Sequence, residues 1–168
     1  EAALVNTLNE DDLVLMVETG YFASLWNKMA HRLGIKTEFL KTDWQRGAMP
    51  EKIFERLKKD TEKQIKAVCV VHNETSTGSR SRIKEVRDAI NSADHDALLM
   101  VDTISGLASM EYKHDEWGID VTVSGSQKGL MLPPGLSFNA ISEKAIKISK
   151  KSGMRRSYWD WKEQIEAN

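Results

Sequence analysis

Polar residues that can bind or transfer protons follow three short apolar runs of the sequence. After AVCVV at 67–71 comes HNETSTG, after LLMV at 98–101 comes DTIS, and after VTV at 121–123 comes SGSQKG. Apolar runs of this length, bounded by turn-forming residues, are typical of buried strands. In open α/β sheets, ligands bind beyond the carboxyl ends of the strands. We therefore expect a carboxylate, an amide, an amine and several hydroxyl groups to meet in one crevice.

The pairing of Asp102 with Lys128 suits pyridoxal phosphate above other cofactors. An amine can form an imine with the aldehyde of this cofactor, and a carboxylate can keep its pyridine nitrogen protonated, so that the ring accepts electrons. Residue types alone leave simpler interpretations open. Asp102 could be a turn or cap residue, and Lys128 an ordinary surface lysine. SGSQKG could also be a loose phosphate-binding turn, although it lacks the GxxxxGK[ST] spacing of a P-loop.

The elements that must position these residues alternate between strands and helices. We expect strands at 13–17, 37–40, 67–71, 98–101, 121–123 and 136–141, and helices at 1–8, 22–33, 82–92, 142–150 and 157–165. A further helix is expected to start at Pro50, with the charged residues of 51–66 as its solvated face. The alternation predicts an α/β fold, with a mostly parallel sheet covered by helices on both faces.

Composition excludes several other classes of protein. The 168 residues include 24 basic and 25 acidic side chains, a balance that argues against a nucleic-acid partner held on a cationic face and gives no charge-based reason for membrane binding. No apolar run is long enough to span a membrane. The single cysteine, Cys69, excludes an intramolecular disulfide and a multi-cysteine zinc site, and is expected in the core. The consecutive residues His114, Asp115 and Glu116 would not face one ion, so no metal site is expected.

Several motifs together resemble one enzyme family. KAVCVVHNETSTG (66–78), VDTIS (101–105), HDEWGIDVTVSGSQKGLMLPPGLSFNA (114–140) and YWDW (158–161) are similar to the serine–glyoxylate and alanine–glyoxylate aminotransferases, with the serine–glyoxylate branch closest. These are class V, pyridoxal-phosphate-dependent enzymes of fold type I. The resemblance implies transfer of the amino group from serine to glyoxylate, giving hydroxypyruvate and glycine. Alanine or asparagine as donor, or another class V reaction such as desulfuration, remain alternatives; a desulfurase would need a mobile catalytic cysteine.

The resemblance also implies a role for each candidate site residue. Lys128 would form the internal aldimine and carry the proton, Asp102 would pair with the pyridinium nitrogen, Thr75 would bond the phenolic oxygen, Gln127 would bind the phosphate, and Phe22 and Ile104 would pack on opposite faces of the ring. Two simpler alternatives stay open: Phe22 as a core aromatic of its helix, and Thr75 as a turn residue. Gly106 departs from the serine that the family pattern places after VDTIS.

The same resemblance implies that residues 1–168 are the central part of a large pyridoxal-phosphate-binding domain. The family's phosphate loop, which precedes the first helix, and its C-terminal small domain, which carries the arginine for the substrate carboxylate, are expected outside the chain. Family members are homodimers; bacterial ones are cytoplasmic and plant ones peroxisomal. A further alternative is that this piece by itself is a non-catalytic α/β fragment.

Overall fold

The computed structural model describes residues 1–167, which form one central sheet with helices on both sides. The strands are β1 (Leu13–Val17), β2 (Lys36–Leu40), β3 (Ile65–Val71), β4 (Asn73–Glu74), β5 (Ser79–Arg80), β6 (Leu98–Asp102), β7 (Val121–Gly125) and β8 (Ser137–Ile141). The helices are α1 (Ala2–Thr7), α2 (Tyr21–Arg32), α3 (Pro50–Lys59), α4 (Ile83–Ser92), α5 (Glu143–Ser149) and α6 (Trp161–Glu166). The main sheet has the order β2-β1-β3-β6-β7-β8, and β4 pairs with β5 in a separate hairpin.

The expected α/β architecture with a mostly parallel sheet is confirmed. Every neighbouring pair from β2 to β7 is parallel, and β8 alone runs antiparallel, against β7. Successive side chains of a strand point to opposite faces, so a continuous apolar strand feeds two cores. In β3, Ala67 and Cys69 pack toward α1, α2 and α5, whereas Val68 and Val70 pack toward α3 and α4. Cys69 is therefore a core residue, as expected, and burial raises the pKa of its thiol.

Two predicted helix boundaries are wrong for identifiable reasons. The helix that starts at Pro50 ends at Lys59, so the charged residues as far as Lys66 do not form a single solvated helical face. The last helix begins at Trp161 rather than at residue 157. The side-chain amide of Asn6 donates to the Trp159 carbonyl oxygen, and the Trp161 N–H donates to the Asn6 side chain. These bonds hold residues 159–161 across α1, and the Asp160 side chain then caps the helix.

A buried carboxylate, that of Asp60, lies at the amino ends of β3 and β6, opposite the carboxyl ends that carry the candidate site residues. Asp60 accepts hydrogen bonds from the backbone N–H groups of Gln64 (3.1 Å) and Ile65 (2.7 Å). The His95 Nε2 atom lies 3.1 Å from the same carboxylate. Because His95 Nδ1 accepts from the Ala97 N–H, its proton is on Nε2 and is donated to Asp60. The turns before β3 and β6 are joined in this way.

Asp60→Asn is expected to lower the free energy of unfolding by about 1–3 kcal/mol at neutral pH, because buried donors lose an acceptor. Burial acts to raise the pKa of Asp60, but the hydrogen bonds from Ile65, Gln64 and His95 outweigh it, and the pKa lies below its ordinary value. A carboxyl whose pKa is lowered by folding stabilises the protein above its unfolded pKa of about 3.9 and loses this effect as the pH falls through the folded value. Urea unfolding at several pH values should show a constant difference between wild type and variant above about pH 5, shrinking below about pH 4. A difference independent of pH would contradict this assignment.

Among residues 1–167, no helix combines the length and the apolar character that crossing a membrane requires.

Candidate active site

The carboxyl ends of β3, β6 and β7 lie side by side, as expected from the sequence. Asp102 is the strand partner of Val71 on one side and of Val123 on the other. Beyond the strands, the His72 N–H donates to the Asp102 carbonyl oxygen, and the Thr103 N–H donates to the Val123 carbonyl oxygen, both at 2.9 Å. The turns that follow the three strands therefore start from one edge of the sheet, and their polar side chains share it.

Asp102 is the acid at the centre of this edge. One of its carboxylate oxygens accepts the Ile104 N–H at 2.8 Å, which fixes the orientation of the carboxylate at the start of the turn. Burial raises the pKa of Asp102, the hydrogen bond from Ile104 opposes the rise, and the negative charge of Glu74 adds to it. A neighbouring positive group would restore the charged form of the acid. Ile104, an apolar residue two positions after Asp102, is 38% exposed.

The turn that carries Lys128 is packed directly against the turn that follows Asp102. At Gly129, a Cβ atom would lie 2.1 Å from the carbonyl oxygen of Leu107 and 2.5 Å from the Ser109 hydroxyl. No side chain larger than that of glycine fits this approach. Ser126, fully buried, donates to the Pro133 carbonyl oxygen at 2.6 Å and fixes the turn from its other side. Lys128 and Gln127 are exposed, and the Lys128 amine has no hydrogen-bond partner within the described part of the chain.

The turn-forming residues that follow β3 lie in the β4–β5 hairpin. Thr75 lies at its tip and is exposed. Two hydrogen bonds attach the hairpin to the turn after Asp102: the Asn73 side chain donates to the Ser105 hydroxyl at 2.9 Å, and that hydroxyl donates to the Asn73 carbonyl oxygen at 2.8 Å. Thr75 is thus placed next to the same edge, although its hydroxyl group has no partner within the described part of the chain.

Phe22 lies in the first turn of α2 and is not a core residue. It is 42% exposed, and its ring contacts that of Tyr21 edge-on, with the centroids 5.8 Å apart. The alternative that Phe22 is an ordinary core aromatic is therefore wrong; Ala23 and Ala30 are the buried residues of this helix. The start of α2 contacts the hairpin, because the Tyr21 N–H donates to the Ser76 hydroxyl at 2.9 Å.

Three buried polar atoms at this end of the sheet have no hydrogen-bond partner among residues 1–167: the hydroxyl oxygens of Thr19 and Ser124 and the Nδ1 atom of His72. Buried polar atoms are normally bonded, so unpaired ones are typical of places where a ligand or water binds. Burial, followed by the charge of Arg80, lowers the pKa of His72 to about 4, so its ring is neutral at pH 7. The ring packs on Gly106, where a Cβ atom would lie 2.8 Å from His72 Nδ1.

Sequence reasoning missed Glu74, which lies between the hairpin and α2. Its carboxylate is fully buried, and glutamate is rarely buried unless it is paired. Its position directly after a buried strand, among turn formers, was the only signal in the sequence. Sequence reasoning also missed Ser105, which carries the link between the hairpin and the Asp102 turn.

The residues that suggested a metal site have other partners. The Nδ1 atom of His114 lies 2.7 Å from the Thr122 hydroxyl, and Glu116 pairs with Lys113. Within residues 1–167, no cluster of three metal-binding side chains occurs. Cys69, in the interior of β3, cannot be the mobile cysteine that a desulfurase needs.

Fold and site together place the chain in a known class of proteins. Its structure superposes on that of an alanine–glyoxylate aminotransferase from Nostoc sp. with a TM-score of 0.89 and 29% identity, over 98% of this chain and 43% of the other. A mostly parallel sheet of this order, with helices on both faces, has the architecture of the fold-type I aminotransferases. The family "Aminotransferase class-V" matches residues 2–156. The chain belongs to the class V aminotransferases.

Sequence relatives agree with this assignment. The serine–glyoxylate aminotransferase of Methylorubrum extorquens is 48% identical over 173 residues, covering 100% of this chain and 43% of the relative. The L-aspartate–glyoxylate aminotransferase of Paracoccus denitrificans is 41% identical over 160 residues, covering 95% of this chain and 40% of the relative. The resemblance seen in the motifs is confirmed. The chain spans less than half the length of the relatives it matches.

Proposed function

We propose that the chain is the central part of the large domain of a pyridoxal-phosphate-dependent aminotransferase that moves the amino group of serine to glyoxylate. One observation carries the proposal: the Lys128 turn is packed on the Asp102 turn through Gly129, at the carboxyl edge of a class V sheet. An amine and a carboxylate on adjoining turns at the carboxyl ends of the strands are what amino-group transfer needs.

The residues at the edge fit pyridoxal phosphate in their chemistry. The cofactor supplies, when bound, an aldehyde that condenses with amines and a ring that accepts electrons. The chain offers it an exposed amine at Lys128 and an acid at Asp102. The half-exposed apolar side chains of Phe22 and Ile104 suit the two faces of a flat ring. The unpaired atoms of His72 and Ser124 indicate that a ligand or water binds at the same ends of the strands.

Each residue then has a defined task. Lys128 would hold the cofactor through its aldehyde, and its amine, when free, would accept the proton from the α-carbon of the amino acid and give it back. Asp102 would pair with the pyridine nitrogen and keep a proton on it, and the positive charge there would favour the ionised carboxylate. Phe22 and Ile104 would pack against the ring and exclude water. Thr75 would donate a hydrogen bond from its hydroxyl to the phenolic oxygen, and the Gln127 amide would donate one to the phosphate.

The names of the relatives are the basis for the proposed donor amino acid. The relatives described above are named for serine, aspartate and alanine as donors, with glyoxylate as the shared acceptor. Serine is favoured because the relative of 48% identity is named for it. The substrate-carboxylate arginine and the phosphate loop are proposed to lie in other parts of a longer protein. We also propose a homodimer; Met131, Leu132 and Leu136, near the Lys128 turn, are exposed apolar residues that suit a subunit interface.

The full-length protein offers a direct test. Incubated with pyridoxal phosphate, it should gain an absorbance band in the visible or near ultraviolet that borohydride bleaches. Peptide mass mapping should then find the reduced cofactor on Lys128. Serine, alanine and aspartate, each supplied with glyoxylate, should rank the donors by kcat/KM. Reduced cofactor on a different lysine, or on none, would refute the proposal.

A further inference from the structure

The Glu74 carboxylate connects two segments of the site that are some fifty residues apart in sequence. One oxygen accepts hydrogen bonds from the Phe22 N–H at 3.2 Å and from Ser76, whose N–H lies at 3.2 Å and whose hydroxyl lies at 2.6 Å. The other oxygen accepts the Ala23 N–H at 3.1 Å. Glu74 has no exposed surface. Within residues 1–167, the hydrogen bonds that its carboxylate accepts all come from these two segments.

Helix α2 has no cap of its own. Its N-cap residue is Gly20, which has no side chain to accept the free N–H groups of the first turn. Helices usually meet this need with a nearby Ser, Thr, Asp or Asn. Here the hairpin supplies the acceptors, the Glu74 carboxylate for Phe22 and Ala23 and the Ser76 hydroxyl for Tyr21. The partial positive charge at the start of the helix favours a buried carboxylate at this position.

Gly20 makes room for this contact. A Cβ atom at residue 20 would lie 2.5 Å from both the Glu74 Cγ atom and the Ser76 Oγ atom. A second bond reinforces the contact, because the Thr77 hydroxyl donates to the Thr19 carbonyl oxygen at 3.2 Å. The hairpin and the start of α2 thus form one unit around the carboxylate.

The two residues positioned by this unit are Phe22 and Thr75. Phe22 donates its own N–H to Glu74, and Thr75 lies between Glu74 and Ser76 in the chain. We propose that Glu74 is a positioning residue, which presets Phe22 and Thr75 for the cofactor before the cofactor binds. This inference rests on the proposed function, in which Phe22 packs on the cofactor ring and Thr75 bonds its phenolic oxygen. Glu74 acts through these residues rather than on the reacting atoms.

The test compares Glu74→Gln with Asp60→Asn in the full-length protein. Both changes replace a buried carboxylate that accepts hydrogen bonds from two or more N–H groups. Asp60, however, lies at the opposite ends of the strands. Each apoprotein is titrated with pyridoxal phosphate. Glu74→Gln should raise the dissociation constant of the cofactor by about 10- to 100-fold, and Asp60→Asn should change it by less than about twofold.

Amide hydrogen exchange of the apoproteins provides a second readout that needs no cofactor. In Glu74→Gln, exchange at Phe22 and Ala23 should accelerate, while exchange in the interior of the sheet should not. Ser76→Ala keeps the Glu74 carboxylate but removes the hydroxyl that donates to it and accepts the Tyr21 N–H. It should weaken cofactor binding by about three- to tenfold and serves if Glu74→Gln does not fold. Equal loss of cofactor affinity in Glu74→Gln and Asp60→Asn, or unchanged affinity in Glu74→Gln or Ser76→Ala, would overturn the inference alone. Failure of the wild type to bind the cofactor would instead overturn the proposed function, and the inference with it.

Discussion

Lys128→Ala in the full-length protein is expected to lower the rate of amino-group transfer by about 10³-fold or more, because in the proposed function one amine both binds the cofactor and moves the proton. The loss should appear in kcat and be accompanied by loss of borohydride-stable labelling. Stability should change little, since the side chain is exposed and has no hydrogen-bond partner within the described residues. Steady-state kinetics with serine and glyoxylate, together with thermal unfolding, provide the measurements.

Lys147→Ala is a matched control for this change. Lys147 lies on α5, its side chain is 78% exposed, and its one ion pair, with Glu143, is long at 4.0 Å. Surface pairs of this kind contribute little to stability. Activity and labelling should therefore match those of the wild type. Transamination that survives in Lys128→Ala at more than about a tenth of the wild-type rate is incompatible with the role proposed for this lysine.

Asp102→Asn is expected to reduce kcat by about 100-fold or more, because an amide cannot supply the charge that holds a proton on the pyridine nitrogen. The fold should survive, since the amide oxygen can still accept the Ile104 N–H, the contact that Asp102 makes through one oxygen. The cofactor should still attach to Lys128. Kinetics, the absorbance spectrum and circular dichroism of the same preparation separate these effects.

Two further variants test whether the negative charge at Asp102 is what activity requires. Asp102→Glu keeps the charge but moves it by one methylene group, so its activity should lie between those of wild type and Asp102→Asn. Asp115→Asn removes an exposed carboxylate from the turn before β7 and should have no effect. If Asp102→Asn retains the wild-type kcat, the acid serves only as the cap of its own turn, one of the simpler interpretations that the sequence left open.

The main sheet could be predicted because its strands are short continuous apolar runs, a pattern that buried parallel strands require. Residues 13–17 were predicted without error, and β3 and β6 within two residues. The β4–β5 hairpin was missed, since two strands of two residues each carry no periodic signal. The late start of α6 was missed for another reason. It depends on hydrogen bonds to Asn6, far away in sequence, which no local pattern can indicate.

The sequence could predict a candidate site residue only where that residue comes shortly after a strand. The positions of Asp102 and Lys128 come from the strand-end rule, whereas the packing of their two turns depends on Gly129 meeting Leu107. Helical spacing could not separate a core role for Phe22 from an exposed one, because the first turn of a helix can extend past the sheet it covers. Glu74 was missed since its partners, Phe22 and Ala23, belong to a distant element.

The two cores on opposite faces of the sheet make stability and chemistry separable in this domain. Ile53 and Leu57 of α3 pack on one face, while α2, which carries Phe22, packs on the other. Substitutions at sites far apart and without shared partners usually have additive effects. Mutations on the α3 side can therefore accumulate without changing the position of Phe22. Mutations that compensate for them can be placed on the same side. An engineer of this domain could therefore stabilise it from the α3 face first, and then vary the turns at the carboxyl ends of the strands.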